Sequence, residues 1–182
     1  MPALLPPLAA EDHVCDGCSI AYEGIRIDDA VDVIAGIPDA ARDAVRAIPA
    51  EVRPVRPSPE VWSAVEYLCH LRDVYVAFTI RLYRVRTEHR PVLEPMFNDL
   101  RARRFRYNEC DIEATLGELA RAAAGFRDEI ARMRDDGWDR VATRLPGELR
   151  TARWLVRQAM HEGVHHVGDI RRIGENRPLT TS

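Results

Sequence analysis

The segment HEGVHHVGD, residues 161–169, carries the side chains best suited to chemistry. His161 and His165 are four residues apart, so in a helix both imidazoles point to one side and can share a metal ion. The order His-Glu-x-x-His also matches the start of a zinc protease signature, in which the glutamate acts as base. The segment therefore indicates metal chemistry and leaves open which kind.

A zinc protease of this type needs more than the first pair of histidines. A third histidine would stand six residues after His165, where the sequence has Arg171, and no methionine follows for a Met-turn. A later glutamate ligand would have to be Glu175, with almost no chain left to build a helix around it. The sequence also lacks predicted strands that would bind a peptide. We therefore reject the protease interpretation.

A third histidine is available on another predicted helix. His70 lies about two turns after the start of that helix, where a helical bundle can bring it against His161 and His165. Three imidazoles leave one coordination position open for water or substrate, as in catalytic zinc sites. A single histidine on an apolar helix is also often a core residue bonded to a carbonyl, so His70 has two possible roles.

Four segments in which apolar residues recur every three or four positions can position these side chains. They begin near Asp28, Ser63, Asp111 and Thr151. The second opens with a capping box formed by Ser63 and Glu66, and the first is expected to break or kink at Pro38. No segment alternates as a strand does. The sequence therefore predicts an all-α domain, a four-helix bundle over residues 25–182, preceded by a short tail at residues 1–24.

Composition excludes several partners and chemistries. The 182 residues include 26 basic and 29 acidic ones, spread along the chain, which gives no sign of nucleic-acid binding or a polybasic membrane anchor. The absence of lysine excludes Schiff-base chemistry and a P-loop. The first ten residues lack a basic region and contain prolines, unlike a secretory signal, and no apolar run is long enough to span a membrane. We expect a cytoplasmic protein that acts on a small molecule.

Cys15 and Cys18 form a C-x-x-C pair within the predicted tail. The pair could be half of a structural zinc site completed by His13, His89 or Cys110, a redox dithiol, or part of a tail without a role. Without a second C-x-x-C these alternatives stay open. We favour a structural or auxiliary metal role and do not expect catalysis there.

Two stretches resemble the signature helices of the DinB-like superfamily. They are WSAVEYLCHLRDV at residues 62–74 and HEGVHHVGDIRRI at residues 161–173. The family helices typically read W-S-x-x-E-x-x-x-H-L and H-x-x-x-H-x-G-[QD]-I. The likeness extends in helix order from about Asp28 to Ile173, and one branch of the superfamily also has a C-x-x-C segment before the bundle.

The resemblance implies a four-helix bundle, often dimeric, in which three histidines hold a divalent metal, commonly zinc or nickel. Carried over by position, the ligands are His70, His161 and His165, and we expect a homodimer. Gly168 stands three residues after the last of these ligands, one more than in the family pattern. The superfamily includes mycothiol-dependent maleylpyruvate isomerase and bacillithiol or mycothiol S-transferases, together with many members of no known activity.

A metal with an open position would suit a low-molecular-weight thiol, because coordination deprotonates the sulfur at neutral pH. S-transfer or isomerisation is the expected function; the alternatives are a non-catalytic metal-binding or stress-related bundle and a metal-dependent hydrolase. Glu162 is the candidate base, although an ion pair with His166 is its other possible role. The candidates for holding an anionic substrate are Arg72, Arg153 and Arg157, although most helical arginines are solvated.

Overall fold

Four long helices pack around one apolar core in the computed structural model, which describes residues 7–175. The helices are α1 (Ile27–Arg46), α2 (Ala64–Thr87), the short α3 (Asn98–Arg104), α4 (Ile112–Ala131) and α5 (Ala152–Glu175). Single 3-10 turns lie at Tyr107–Glu109 and Asp135–Gly137, and strands β1 (Val141–Thr143) and β2 (Leu149–Thr151) form an antiparallel hairpin before α5. The predicted all-α bundle is confirmed. None of the helices within residues 7–175 is both long and apolar enough to cross a membrane.

The order of the helices around the bundle places α2 beside α5. Helix α1 packs against α4 and α5, and α2 packs against the same two helices, so α1 and α2 lie on one diagonal. The long connection from α2 to α4 and the hairpin before α5 allow this arrangement. As a result, the middle of α5 faces α2 on one side and α1 on the other.

Side-chain caps fix where three helices begin. Ser63 and Glu66 form the predicted capping box of α2, with the Ser63 hydroxyl accepting from the Glu66 amide and the Glu66 carboxylate accepting from the Ser63 amide. Asp111 caps α4 by accepting from the amide of the third residue after it. The Thr151 hydroxyl accepts from the Trp154 amide at the start of α5. These predicted starts are confirmed.

The structure differs from the sequence-based prediction at Pro38, where α1 continues without a break. Proline inside a helix removes one hydrogen bond and costs about 3 kcal/mol. Ile34, Ile37 and Ala41 are buried in the core and Pro38 is buried beside them, so tertiary packing outweighs that cost. Helix α3 and the β1–β2 hairpin were not predicted, because elements of seven and three residues are too short to show a periodic pattern.

The segment before α1 lies along α5 and the hairpin that precedes it. Arg150 donates to the carbonyls of Leu8 and Ala9, and the Trp154 indole donates to the carbonyl of Ala10. Farther along, Arg157 donates to the carbonyl of Ile25. Residues 8–25 are therefore tied to α5 at both ends.

Glycine at position 163 lets α5 approach its neighbours closely. A Cβ there would lie 2.9 Å from Cγ1 of Ile37 on α1 and would overlap the hydroxyl of Tyr75 on α2. Any side chain at Gly163 would push α5 away from both helices. This close approach fixes the polar residues on either side of Gly163 relative to α2.

Candidate metal centre

Polar side chains in the middle of α5 divide between two faces of the helix. Successive residues are rotated by about 100°, so residues 161 and 165 share one face and residues 162 and 166 share the next. Among the described residues, the structure brings together three groups of potential ligands. Two of them share no residue, and the third, His165, His166 and Asp169, takes one histidine from each. The Cys/His cluster consists of Cys15, Cys18, His161 and His165, and the Glu/His cluster consists of His70, Glu162 and His166.

The expected set of His70, His161 and His165 is thereby divided between the two clusters. His70 is buried on α2, between Cys69 and Leu71, and it faces Glu162 and His166 on α5. His161 and His165 instead face the N-terminal segment. The face of α5 that meets α2 therefore carries Glu162 and His166, one residue later than the sequence suggested.

Three donor atoms converge in the Glu/His cluster. Oε2 of Glu162 lies 3.3 Å from Nε2 of His70 and 3.2 Å from Nε2 of His166. The two imidazole rings pack edge to face, with their centroids 4.9 Å apart. This pair of contacts confirms the predicted interaction of Glu162 with His166, and it adds His70 as a second partner.

The hydrogen bonds behind these atoms orient them for a cation. Nδ1 of His166 lies 2.7 Å from a carboxylate oxygen of Asp169, so this nitrogen carries a proton and donates it. A neutral His166 would then direct its Nε2 lone pair at the Glu162 carboxylate. Two acceptors at that distance need a proton or a metal ion between them. The donor set of two imidazoles and one carboxylate fits a divalent metal.

The charges in the cluster shift the pKa values of its members. Burial by itself lowers the pKa of His166, but hydrogen bonds to Asp169 and Glu162 outweigh it and raise that pKa to about 9. Burial by itself raises the pKa of Glu162, but hydrogen bonds from His166 and His70 hold it well below the usual range. A metal bound at Nε2 of His166 would therefore have to displace a proton that the raised pKa favours at neutral pH.

Neighbouring side chains hold the ligands in place. The amide of Gln158 donates to Oε1 of Glu162 at 2.6 Å. The ring of Tyr67 stacks on His166, with centroids 5.2 Å apart, and Trp62 packs edge-on against His70. Asp169 accepts a hydrogen bond from the far nitrogen of the His166 ring, an arrangement that is common behind histidines that bind metals.

A cavity of about 550 Å³ opens beside the Glu/His cluster, and both His70 and Glu162 line it. Its apolar wall includes Val74 and Phe78 from α2. A cavity of this size holds a small organic molecule. The cluster can therefore be reached by a substrate, whereas the lining of this cavity includes no member of the Cys/His cluster.

Three arginines also line the cavity, and no sequence pattern predicted them. They are Arg81, Arg103 and Arg144. Burial and the nearby charge of Arg144 lower the pKa of Arg81 to about 10. Arg144 also pairs with Glu148 at 3.6 Å, so Glu148 offsets part of its charge. An anion bound beside Arg81 and Arg144 would offset the rest of their mutual repulsion. The cavity thus combines an apolar wall with a cationic region.

The arginines that were predicted to hold an anionic substrate lie elsewhere. Arg72 pairs with Asp73 and Glu118. Arg153 and Arg157 line a separate hollow of about 410 Å³ near the start of α1. None of the three lines the cavity beside the Glu/His cluster.

Comparison with known proteins agrees with this architecture. Residues 35–170 match the model of the DinB superfamily. The chain belongs to the DinB superfamily. A search of curated proteins finds no match. Among solved structures, the chain is similar to YfiT from Bacillus subtilis, described as a probable metal-dependent hydrolase with an unusual four-helix bundle topology. The TM-score is 0.77 at 16% identity, over 84% of this chain and 90% of YfiT, so the likeness concerns the fold.

The DinB pattern H-x-x-x-H-x-G-[QD]-I has a second register on α5 that agrees with the geometry. In it, His166 is the last ligand, Gly168 follows at the expected distance, and Glu162 replaces the first histidine. The position of Gly168 was the signal in the sequence that favoured this register. It was outweighed by the presence of histidines at both 161 and 165.

Proposed function

We propose that this DinB superfamily protein is a metal-dependent enzyme whose metal is held by the Glu/His cluster. The observation that carries the proposal is the opening of His70 and Glu162 onto the 550 Å³ cavity. A structural metal site is closed by four protein ligands, whereas a catalytic one has three and an open position. Zinc is the first candidate metal and nickel the second.

A divalent metal in this cluster would lower the pKa of a bound thiol or water and so supply a nucleophile at neutral pH. The chain itself orients the ligands: Asp169 holds His166, and Gln158 holds Glu162. The apolar wall of the cavity would exclude bulk water, and Arg81 and Arg144 would attract an anionic substrate. In this arrangement Glu162 serves as a ligand rather than as the base.

The first candidate reaction is the transfer of a low-molecular-weight thiol to an electrophilic carbon, or thiol-dependent isomerisation. Family resemblance supports it, and the cavity has room for a reacting molecule beside the cluster. Hydrolysis is the second candidate. It is favoured by the carboxylate of Glu162, since two histidines and a glutamate form the zinc set of several hydrolases, and by the described character of YfiT.

One assay separates the two candidates. Protein without a histidine tag, loaded with zinc or nickel, is mixed with mycothiol and an aryl halide carrying a carboxylate, and thiol consumption and halide release are followed together. Equal consumption and release support S-transfer. Hydrolysis of a carboxylated aryl ester without any thiol supports the second candidate.

Matched variants tie either activity to the site. Glu162→Gln and His166→Ala are expected to lose turnover, whereas Arg72→Ala, which changes an arginine outside the cavity, is expected to retain it. Turnover that survives both ligand substitutions, or a Glu/His cluster that binds neither metal, would contradict the proposal.

A further inference from the structure

A tight hairpin in the N-terminal segment presents two sulfur atoms to α5. The amide of Cys15 donates to the carbonyl of Ile20 at 2.9 Å, and the amide of Ser19 donates to the carbonyl of Cys15 at 2.7 Å. Val14 and Ala21 pair across the hairpin. This turn places Cys15, which is 8% exposed, and Cys18 within 4.8 Å of ligand nitrogens of His161 and His165.

His161 has a buried nitrogen without a hydrogen-bond partner among the described residues 7–175. The residue is 8% exposed, and its Nε2 is the atom concerned. Its other nitrogen, Nδ1, lies 2.8 Å from the hydroxyl of Tyr22. Leaving a buried imidazole nitrogen without a partner is unfavourable, so Nε2 at this position points to a missing ligand.

The hydrogen bonds around His161 determine which nitrogen has the lone pair. The amide of Gln158 donates to Glu162, so its oxygen is turned toward Tyr22, whose hydroxyl donates to that oxygen at 2.5 Å. Having given up its only proton, the Tyr22 oxygen must accept from Nδ1–H of His161. The Nε2 atom then carries the lone pair and can bind a cation.

His165 is arranged in a similar way. Its Nδ1 lies 3.4 Å from Sγ of Cys15, and its Nε2 lies 3.7 Å from a carboxylate oxygen of Asp169. This contact is too long for a hydrogen bond, but the negative charge of the carboxylate favours a proton on Nε2. The Nδ1 lone pair then lies beside the sulfur. Gly17 completes the fit, since a Cβ there would lie 2.9 Å from Cε1 of His165. The C-x-x-C turn and this imidazole are therefore in close contact.

The donor atoms match one metal in particular. Two residues separate the cysteines and three separate the histidines, which are spacings typical of structural zinc sites. In a tetrahedral site the ligand atoms are about 3.3–3.8 Å apart, a range that includes the contact between Cys15 and His165. Two thiolates also balance the charge of a divalent ion, which allows it to be buried.

We propose that the Cys/His cluster binds one structural zinc ion that fastens the N-terminal segment to α5. This ion is separate from the metal of the Glu/His cluster and does not depend on it. It would close the long loop between the hairpin and α5, which are about 140 residues apart in the chain. It would also hold Leu8, which lines the cavity, and Tyr22, which reaches Gln158.

Cobalt(II) provides the direct test, because thiolate ligands give cobalt an intense near-ultraviolet charge-transfer absorption that histidine and carboxylate ligands do not. Protein without a histidine tag is purified under reducing conditions, stripped and reloaded with zinc or cobalt. We expect the charge-transfer absorption in the wild type and its loss in Cys15→Ser/Cys18→Ser, with a fall of one zinc per chain. Cys110→Ser, the control, keeps the absorption and the zinc.

A second pair of variants separates this proposal from the proposed function. His70→Ala is expected to retain the charge-transfer absorption while losing turnover. This holds whether or not the Glu/His cluster of the variant still binds a metal. Cys18→His, which supplies a nitrogen in place of sulfur, is expected to retain zinc with a weaker absorption.

Alkylation of the wild type covers the case in which the double cysteine variant does not fold. With zinc bound, Cys15 and Cys18 are expected to resist iodoacetamide at least tenfold more than after chelation. The proposal is overturned by cobalt-loaded wild type without charge-transfer absorption, by thiols that react equally before and after chelation, or by a Cys15–Cys18 disulfide in protein kept reduced.

Discussion

The two clusters on α5 lie one residue apart in the chain, yet they differ in donor atoms and in access. The Cys/His cluster combines sulfur and nitrogen donors and faces a hairpin that covers it. The Glu/His cluster combines nitrogen and oxygen donors and opens onto a cavity. A rotation of 100° along one helix is therefore enough to separate a covered cluster, for which we propose a structural metal, from one that opens onto a cavity, for which we propose a reactive metal.

The clusters are also connected. A row of hydrogen bonds runs from His161 through Tyr22 and Gln158 to Glu162. Each donor in this row has one acceptor. The nitrogen of His161 that carries the proton therefore determines the direction in which the Tyr22 hydroxyl donates and the orientation of the Gln158 amide beside Glu162. The N-terminal segment thus covers the Cys/His cluster, and through Tyr22 and Gln158 it also orients Glu162 in the Glu/His cluster.

Replacing His166 should have the largest effect and should separate the clusters. His166→Ala removes one of three donors of the Glu/His cluster, so its metal affinity should fall by more than about 100-fold, since even outer-shell changes cost 10–100-fold. Competition with a chromophoric chelator measures the affinity. His89→Ala, at an exposed histidine, is the control. An equal loss of metal from the Cys/His cluster would show that the two clusters form a single site.

Asp169→Asn should have a smaller effect that reaches both clusters unequally. The carboxylate lies 2.7 Å from His166 and 3.7 Å from His165, so we expect a loss of affinity of about 10–100-fold at the Glu/His cluster and a smaller one at the Cys/His cluster. The same chelator competition measures both. Asp139→Asn, which changes an exposed ion pair with Arg153, should leave both affinities unchanged. A larger loss at the Cys/His cluster would contradict the distances.

The sequence predicted where the helices that carry the clusters begin, but it did not predict which face of α5 meets α2. The spacing of apolar residues and the N-cap residues were sufficient to predict the starts of α2, α4 and α5. The caps are local signals, because Ser63, Asp111 and Thr151 act within one turn of their helices. The faces of α5 could not be assigned in that way. Histidines at 161 and 165 and the pair Glu162–His166 have the same spacing, and only packing against α2 decides which pair meets His70.

Local sequence patterns also could not predict that the C-x-x-C pair meets His161 and His165. His161 and His165 are about 140 residues away in the chain, and the candidates nearer in sequence were His13, His89 and Cys110. Cys110 packs against the buried group that includes Cys69 instead. His13 packs beside His161 without joining the cluster, and His89 is exposed after the end of α2. Long-range contacts of this kind follow from the order of helices in the bundle, which the sequence did not give residue by residue.

Tyr22→Phe should break the connection between the clusters while leaving all ligands in place. It leaves Nδ1 of His161 and the oxygen of Gln158 without their partner, at a cost of about 1–3 kcal/mol of unfolding free energy. For a chain of this size that is a fall in Tm of roughly 2–12 °C. Calorimetry of the zinc-loaded protein measures it, with Tyr83→Phe, at a half-exposed tyrosine, as the control. An unchanged Tm would mean that the row of hydrogen bonds is not formed.

Asp73→Asn should affect neither cluster, although Asp73 lies one turn after His70 on α2. Its carboxylate accepts from Tyr107 at 2.5 Å and from Arg101 at 2.6 Å. Burial by itself raises the pKa of Asp73, but these hydrogen bonds outweigh it and lower the pKa below its usual value. We therefore expect Asp73→Asn to lower the unfolding free energy by about 1–3 kcal/mol at pH 7 with both metal affinities unchanged.

The stability difference between wild type and Asp73→Asn should depend on pH, because the pKa of Asp73 is lowered in the folded protein. A carboxylate with a lowered pKa stabilises the folded state above its unfolded pKa of about 3.9, and the contribution is lost as pH falls through the folded value. The stability difference between wild type and Asp73→Asn should therefore be constant near neutral pH and shrink below about pH 4. Urea unfolding of both proteins at pH 7 and pH 3 measures it. A difference that grew on acidification would mean that Asp73 is protonated in the native protein, and an altered metal affinity would mean that the Glu/His cluster depends on the α2–α3 contact as well as on α5.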